Sequence, residues 1–117
     1  GIRQRNTTGS TYLSILFASV SGISKVGYYA GNSSGQTITT GFQPRFVLIK
    51  GIDVGASWYV LDTVRGWGAG NDQSLEINTT QAQNTGDFGA PTSTGFTLTG
   101  HNVYNGTGYN YIYYAHA

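Results

Sequence analysis

The chain has 117 residues, of which 38% are hydrophobic, 14% aromatic and only 9% charged, and its formal net charge is +1. An average soluble domain has roughly a quarter of its residues charged, so this composition excludes a charged disordered tail, and the scattered Lys and Arg residues give no basic patch for nucleic acid. The absence of Cys excludes disulfides and thiolate metal sites, and no apolar run approaches the ~18 residues that a membrane-spanning helix needs. We expect one small domain with a weakly charged surface, no nucleic-acid partner and no membrane insertion.

Short segments rich in Val, Ile, Thr, Tyr and Phe follow one another along the chain, separated by clusters of Gly, Asn, Ser and Asp. This alternation is typical of strands and turns, whereas apolar residues do not recur with helical spacing. Strands are predicted at residues 11–18, 24–30, 36–40, 45–51, 57–63, 74–78, 95–100 and 109–116. Eight short strands at this spacing predict an all-β fold, an antiparallel β-sandwich of jelly-roll-like form.

Two of these strands carry large apolar side chains on both faces. Residues 46–49, FVLI, predict a central strand that is covered on both sides. In the last strand, Tyr111 and Tyr113 should point to one face, and Ile112 and Tyr114 to the other. A terminal strand without a polar face indicates cover by another element, such as a second chain.

The first and last segments of the chain resemble each other. Residues 6–18 and 105–117, aligned without gaps, share the pairs Asn6/Asn105, Thr8/Thr107, Gly9/Gly108, Tyr12/Tyr111 and Ala18/Ala117. This similarity favours a division into residues 1–18, an N-terminal strand arm or the end of a preceding repeat, and residues 19–117, a single β-sandwich domain. Three explanations remain open. The chain could derive from a parent protein with tandem repeats, residues 11–18 could exchange with a neighbouring subunit, or the similarity could be chance in a Gly/Thr-rich sequence.

The apolar and aromatic side chains of these two segments are the candidate subunit interface. Tyr suits an interface because it buries a large area at a small entropy cost and keeps a polar hydroxyl. The candidates are Tyr12, Leu13, Ile15, Phe17, Tyr111, Tyr113 and Tyr114. For the C-terminal members, packing inside the domain is the alternative.

The most distinctive local motif is DTVRGW, at residues 62–67. Asp62 and Arg65 could form an ion pair across a turn, and the glycines on both sides of Trp67 favour an exposed indole ring. An exposed aromatic ring beside polar groups can stack a sugar, so Trp67, Arg65 and Asp62 are candidate glycan-binding residues. The alternative is a turn-stabilising ion pair with a Trp that covers a sheet edge. Trp58, inside an apolar run, is predicted to lie in the core.

The remaining polar residues form no recognisable catalytic or metal-binding pattern. His101 and His116 share no metal-ligand spacing with each other or with a carboxylate. A glycosidase needs two carboxyl groups that face each other across a groove, and Asp62 with Glu76 or Asp72 would be its pair here. We predict no cofactor, no metal and no enzymatic activity.

Several separated motifs within residues 20–117 occur in one order along the chain. They are YAGN at 29–32, GFQPRFVLIK at 41–50, SWYVLDTVRG at 57–66, GNDQSLEINTT at 70–80, GFTLT at 95–99 and NGTGYNYIYYAHA at 105–117. This arrangement resembles a β-rich domain widespread in tailed-bacteriophage virion proteins, common near the ends of tail and fibre proteins. Ser57 departs from the family pattern, which often has an acidic residue before the Trp.

The resemblance implies a non-enzymatic structural module of a tailed-phage virion, in the tail or a tail fibre of the extracellular particle, for assembly and host attachment. We expect a homo-oligomer, for which a trimer is the usual fibre arrangement, in contact with other virion proteins and a host surface glycan. Alternatives are a carbohydrate-binding adhesin tip, a capsid head fibre or decoration protein, and a self-polymerising extracellular filament subunit that exchanges residues 1–18. A depolymerase tailspike is the enzymatic alternative.

Overall fold

A computed structural model describes residues 8–11 and 16–117 of the chain. Within these ranges the regular secondary structure is β-strand, apart from one short 3₁₀ helix at Thr63–Arg65. The strands are β1 (Ser24–Ala30), β2 (Gln36–Thr39), β3 (Phe46–Gly51), β4 (Trp58–Asp62), β5 (Asp72–Glu76), β6 (Asn84–Gly86), β7 (Pro91–Thr92), β8 (Gly95–Leu98) and β9 (Asn110–His116). The predicted all-β class is confirmed. In the described part of the chain, no helix is long and apolar enough to span a membrane.

The strands form two antiparallel sheets. The larger sheet has the order β1-β9-β3-β4-β5-β6, and the smaller has the order β2-β8-β7. Side chains from both sheets share one core, in which the ring of Phe96 from β8 meets the ring of Tyr113 from β9 edge to face, with centroids 5.6 Å apart. The predicted antiparallel β-sandwich is therefore confirmed.

The pleat of the two most apolar strands follows the prediction. In β9, Tyr111 and Tyr113 are buried, whereas Ile112 and Tyr114 lie on the opposite face. β3 lies between β9 and β4, and Val47, Leu48 and Ile49 are all buried. The central position predicted for this strand is confirmed, whereas the predicted cover on both sides is not, because Leu48 on the outward face lines a groove that is open at the surface.

Two observed strands are absent from the prediction. β6 and β7 are short and polar, and β7 begins with Pro, which lacks a backbone donor and is confined to sheet edges. Neighbouring strands hold them, β5 in one case and β8 in the other. For the strand predicted at 11–18, residue 11 and residues 16–18 carry no strand pairing, and residues 12–15 lie outside the described residues.

Candidate functional site

The outward-facing side of the six-stranded sheet is apolar rather than polar. Paired residues of antiparallel strands share a face, so the register between strands builds rows of side chains across the sheet. Two neighbouring rows on this side consist of Tyr28, Ile112, Lys50 and Trp58, and of Val26, Tyr114, Leu48, Val60 and Leu75. Lys50 is the only charged side chain among them, and its amine donates a hydrogen bond to the carbonyl oxygen of Ala56.

An apolar groove of about 200 Å³ runs between these rows. Its floor is Leu48, which is buried, and Val26, Ile112, Trp58 and Tyr114 line its sides. Phe17, from the segment that precedes β1, covers one end of the groove. The Phe17 ring stacks on the Tyr114 ring with centroids 4.3 Å apart.

Much of this apolar area faces solvent. Tyr28 is 80% exposed, and Val26, Ile112 and Phe17 are each between 40% and 45% exposed. Single exposed apolar side chains are normal on a protein surface, whereas a contiguous group of them marks a binding surface. We call the group Phe17, Val26, Tyr28, Trp58, Ile112 and Tyr114 the outer apolar surface.

The structure divides the predicted interface residues among three places. Phe17 and Tyr114 belong to the outer apolar surface. Tyr111 and Tyr113 are only 0% and 5% exposed, so their assignment to a subunit interface is wrong. The pleat turns them inward, where Tyr29 stacks on Tyr111 at 5.1 Å between centroids. Tyr12, Leu13 and Ile15 lie outside the described residues.

The two tryptophans have exchanged their expected environments. Trp67 is only 2% exposed and packs edge-on against Phe96 with centroids 6.0 Å apart, so the expected exposed ring is wrong. The 3₁₀ turn before it is capped by Asp62 and ends at Gly66 in the left-handed conformation with φ of 104°, which only Gly adopts readily. This turn directs Trp67 into the core. Trp58, expected in the core, lines the outer groove instead.

Asp62 and Arg65 do not form the predicted ion pair. One oxygen of Asp62 accepts a hydrogen bond from the backbone N of Val64 at 2.8 Å, and the other lies 3.8 Å from the Arg45 guanidinium. Arg65 instead donates a hydrogen bond to the side chain of Gln83. With the Trp67 ring buried, the three glycan-binding candidates form no common site.

The carboxylates considered for a depolymerase do not face each other across a groove. Glu76 is paired with Tyr59 in the sheet, and Asp62 follows Tyr59 by three residues, so Asp62 and Glu76 point to opposite sides of the sheet. Glu76 accepts a hydrogen bond from Ser57 at 2.7 Å. Asp72 is fully buried and accepts backbone hydrogen bonds from Gly68 at 2.8 Å and Phe88 at 2.7 Å. Burial raises the pKa of Asp72 above its ordinary value, and its bonds give it a role in holding loops.

The titratable side chains of residues 8–11 and 16–117 include no group of three or more His, Asp or Glu placed to hold a metal ion. A family model described as Domain of unknown function (DUF7483) matches residues 1–117. No curated protein matches the chain, and no solved structure does.

Proposed function

The chain belongs to the DUF7483 family, and we propose that it is a non-enzymatic structural module of a tailed-phage virion, in the tail or a tail fibre. In this proposal the domain assembles with copies of itself through the outer apolar surface. The resemblance of its ordered motifs to phage virion proteins supports the location in the extracellular particle. The exposed apolar side of the six-stranded sheet supports the assembly.

The outer apolar surface is the observation on which the assembly role depends. Full burial of a large apolar side chain contributes about 1.5–3 kcal/mol. In the isolated chain Tyr28 is 80% exposed and Ile112 is 40% exposed. Burial of these exposed parts on association therefore contributes free energy that the single chain has not gained. Several such side chains together offset the cost of association, which is at least about 4 kcal/mol.

A second copy of the chain is the occupant that this surface fits. Lys50 keeps its positive charge beside this surface, but its ammonium donates a hydrogen bond to the carbonyl oxygen of Ala56 of the same chain, and the six side chains of the outer apolar surface are uncharged. Such a surface selects its partner mainly by shape and by apolar area. Another copy presents the same apolar surface, and closed symmetric assemblies are the usual form of homo-oligomers.

The assembly role is tested by sedimentation velocity on the full chain and on the double variant Tyr28→Lys/Ile112→Lys. We expect the wild-type chain to sediment as an oligomer and the double variant as a folded monomer, because two ammonium groups in the interface would lose their hydration. Val64→Lys is the matched control, since Val64 is 76% exposed and lies outside the outer apolar surface. A monomeric wild-type chain, or an oligomer equally stable in the double variant, would contradict the proposal.

The location is tested by electron microscopy of particles labelled with an antibody against the purified chain. Label along the tail or its fibres is the expected result. Label over the head would instead support a head fibre or decoration protein. Particles without label would contradict the virion role.

A further inference from the structure

A second concave site lies at the opposite edge of the large sheet from β1, beside the short edge strand β6. This β6 pocket has a volume of about 160 Å³ and combines aromatic with polar side chains, in contrast to the apolar groove. Its lining residues are Tyr59, Asn84, Thr85, Gly86, Asp87, Phe88, His101 and Tyr104.

One wall of the β6 pocket is a column of stacked rings. Phe88 stacks on Tyr104 with centroids 4.6 Å apart, and Tyr104 stacks on His101 at 4.7 Å with the two rings within 4° of parallel. The Tyr104 hydroxyl is fixed by a hydrogen bond to the carbonyl oxygen of Asp87 at 3.0 Å. The column therefore holds the exposed imidazole of His101 in a defined orientation at the pocket.

The other wall offers hydrogen-bonding groups of both kinds. One carboxylate oxygen of Asp87 accepts from the backbone N of Gly89 at 3.1 Å, and its second oxygen accepts no hydrogen bond from the described residues. The Asn84 side chain accepts from the N of Thr85 at 2.9 Å, which leaves its amide hydrogens as donors. Nδ1 of His101 accepts from the N of Val103 at 3.2 Å, so Nε2 of the neutral ring carries the proton and is a donor.

We propose that the β6 pocket binds one unit of a neutral carbohydrate. A sugar ring presents C–H groups that pack on aromatic rings and hydroxyl groups that both donate and accept hydrogen bonds. The pocket supplies an acceptor on Asp87 and donors on Asn84 and His101, next to the rings of Tyr59 and His101. Its volume of about 160 Å³ limits the contact to one sugar unit, with the rest of a glycan outside.

This inference goes beyond the assembly role and does not depend on it. The β6 pocket and the outer apolar surface share no residue. Carbohydrate binding can therefore be measured on the monomeric Tyr28→Lys/Ile112→Lys variant as well as on the wild-type chain. A chain that binds carbohydrate but does not assemble would contradict only the assembly role. A chain that assembles but does not bind carbohydrate would contradict only this inference.

The test is a glycan array probed with the full chain, followed by NMR titration of the ¹⁵N-labelled chain with glucose, galactose, rhamnose and N-acetylglucosamine. We expect saturable shifts centred on the amides of Thr85, Asp87 and His101. Asp87→Ala and His101→Ala should each weaken binding at least about tenfold, the loss expected for a hydrogen bond to a charged or oriented group. His101→Phe, which keeps a ring but lacks the donor, should bind with intermediate affinity.

Asp53→Ala is the matched control, because Asp53 is an exposed carboxylate outside the β6 pocket, and it should bind like the wild-type chain. Near-ultraviolet circular dichroism identifies any variant that disturbs the aromatic column. Absence of saturable shifts together with an empty array would overturn the proposal. Binding that the Asp87 and His101 variants leave unchanged would also overturn it.

Discussion

At the scale of single residues, Asn105 shows why one polar side chain belongs in the core. It is fully buried, and its oxygen accepts hydrogen bonds from the N of Asn32 at 2.9 Å and from Nε2 of Gln36 at 2.6 Å. Its amide nitrogen donates to the carbonyl oxygens of Asn32 at 2.8 Å and Thr99 at 3.0 Å. Only a side-chain amide provides two donors and an acceptor oxygen together, so the loops after β1 and β8 are joined through this one residue.

Replacement of Asn105 by Asp should destabilise the fold strongly. The carboxylate keeps the accepting oxygen but leaves the carbonyl groups of Asn32 and Thr99 without donors, and each buried unsatisfied group costs about 1–3 kcal/mol. We expect the free energy of unfolding to fall by about 2–4 kcal/mol in urea denaturation. Asn78→Asp is the control, because Asn78 is exposed and its only hydrogen bond with the described residues is one that it accepts, from the backbone N of Trp58. Equal stability of the two variants would show that Asn105 is not the connecting residue.

At the scale of elements, Asp53 connects the loop after β3 to the first residue of β9. Its two oxygens accept hydrogen bonds from the backbone N of Asn110 at 2.7 Å and from the side-chain amide of Asn110 at 2.8 Å. These bonds favour the ionised form and hold the pKa of Asp53 below its ordinary value of 3.8. The connection therefore depends on pH.

The stability supplied by Asp53 should be lost in acid. A carboxylate whose folded-state pKa is lowered stabilises the fold above its unfolded-state pKa and loses this contribution as the pH falls through the folded-state value. We expect the wild-type chain to melt at a higher temperature than Asp53→Asn at neutral pH, with the gap closing below about pH 4. Melting temperatures of both proteins from neutral pH to about pH 2 measure this gap. Parallel curves over the whole range would contradict the proposed role.

The strands that could be predicted are those whose own side chains dictate strand structure. Examples are residues 46–49 and the alternating aromatic residues of β9. Their own apolar side chains predict a strand without reference to the neighbouring strands. β6 and β7 carry no such pattern, because pairing with β5 and β8 holds them in place. The residues of β6 and β7 alone therefore do not predict a strand, because the pairing with a neighbouring strand determines it.

The candidate sites were less predictable because they depend on register. The alternation in β9 predicted that Ile112 and Tyr114 share a face, but only the pairing with β1 brings Tyr28 and Val26 beside them. The glycines around Trp67 predicted exposure, whereas the capped turn places the ring in the core. The β6 pocket unites a short polar strand with His101, and no spacing in the sequence connects the two.

At the scale of the whole molecule, the described core cluster lies entirely at or after Tyr29 in the chain, so residues 8–11 and 16–23 contribute no member to it. The described contacts of residues 16–18 with the sandwich are peripheral. They are the Phe17 ring on Tyr114 at 4.3 Å and the carbonyl oxygen of Ala18, which accepts a hydrogen bond from the Ser24 hydroxyl at 2.7 Å.

Deletion of residues 1–18 should therefore leave a folded sandwich that assembles more weakly than the full chain. The loss of the partly buried Phe17 ring should lower the free energy of unfolding by about 1–2 kcal/mol, and its removal also takes one aromatic side chain from the outer apolar surface. Urea denaturation and sedimentation velocity measure the two effects, with Phe17→Ala in the full chain as the control that removes the ring alone. A truncated chain that does not fold would place residues 1–18 in the core of their own domain. A truncated chain that assembles like the full chain would show that this segment is not part of the interface. The two measurements therefore distinguish a strand needed for folding from an arm needed for assembly.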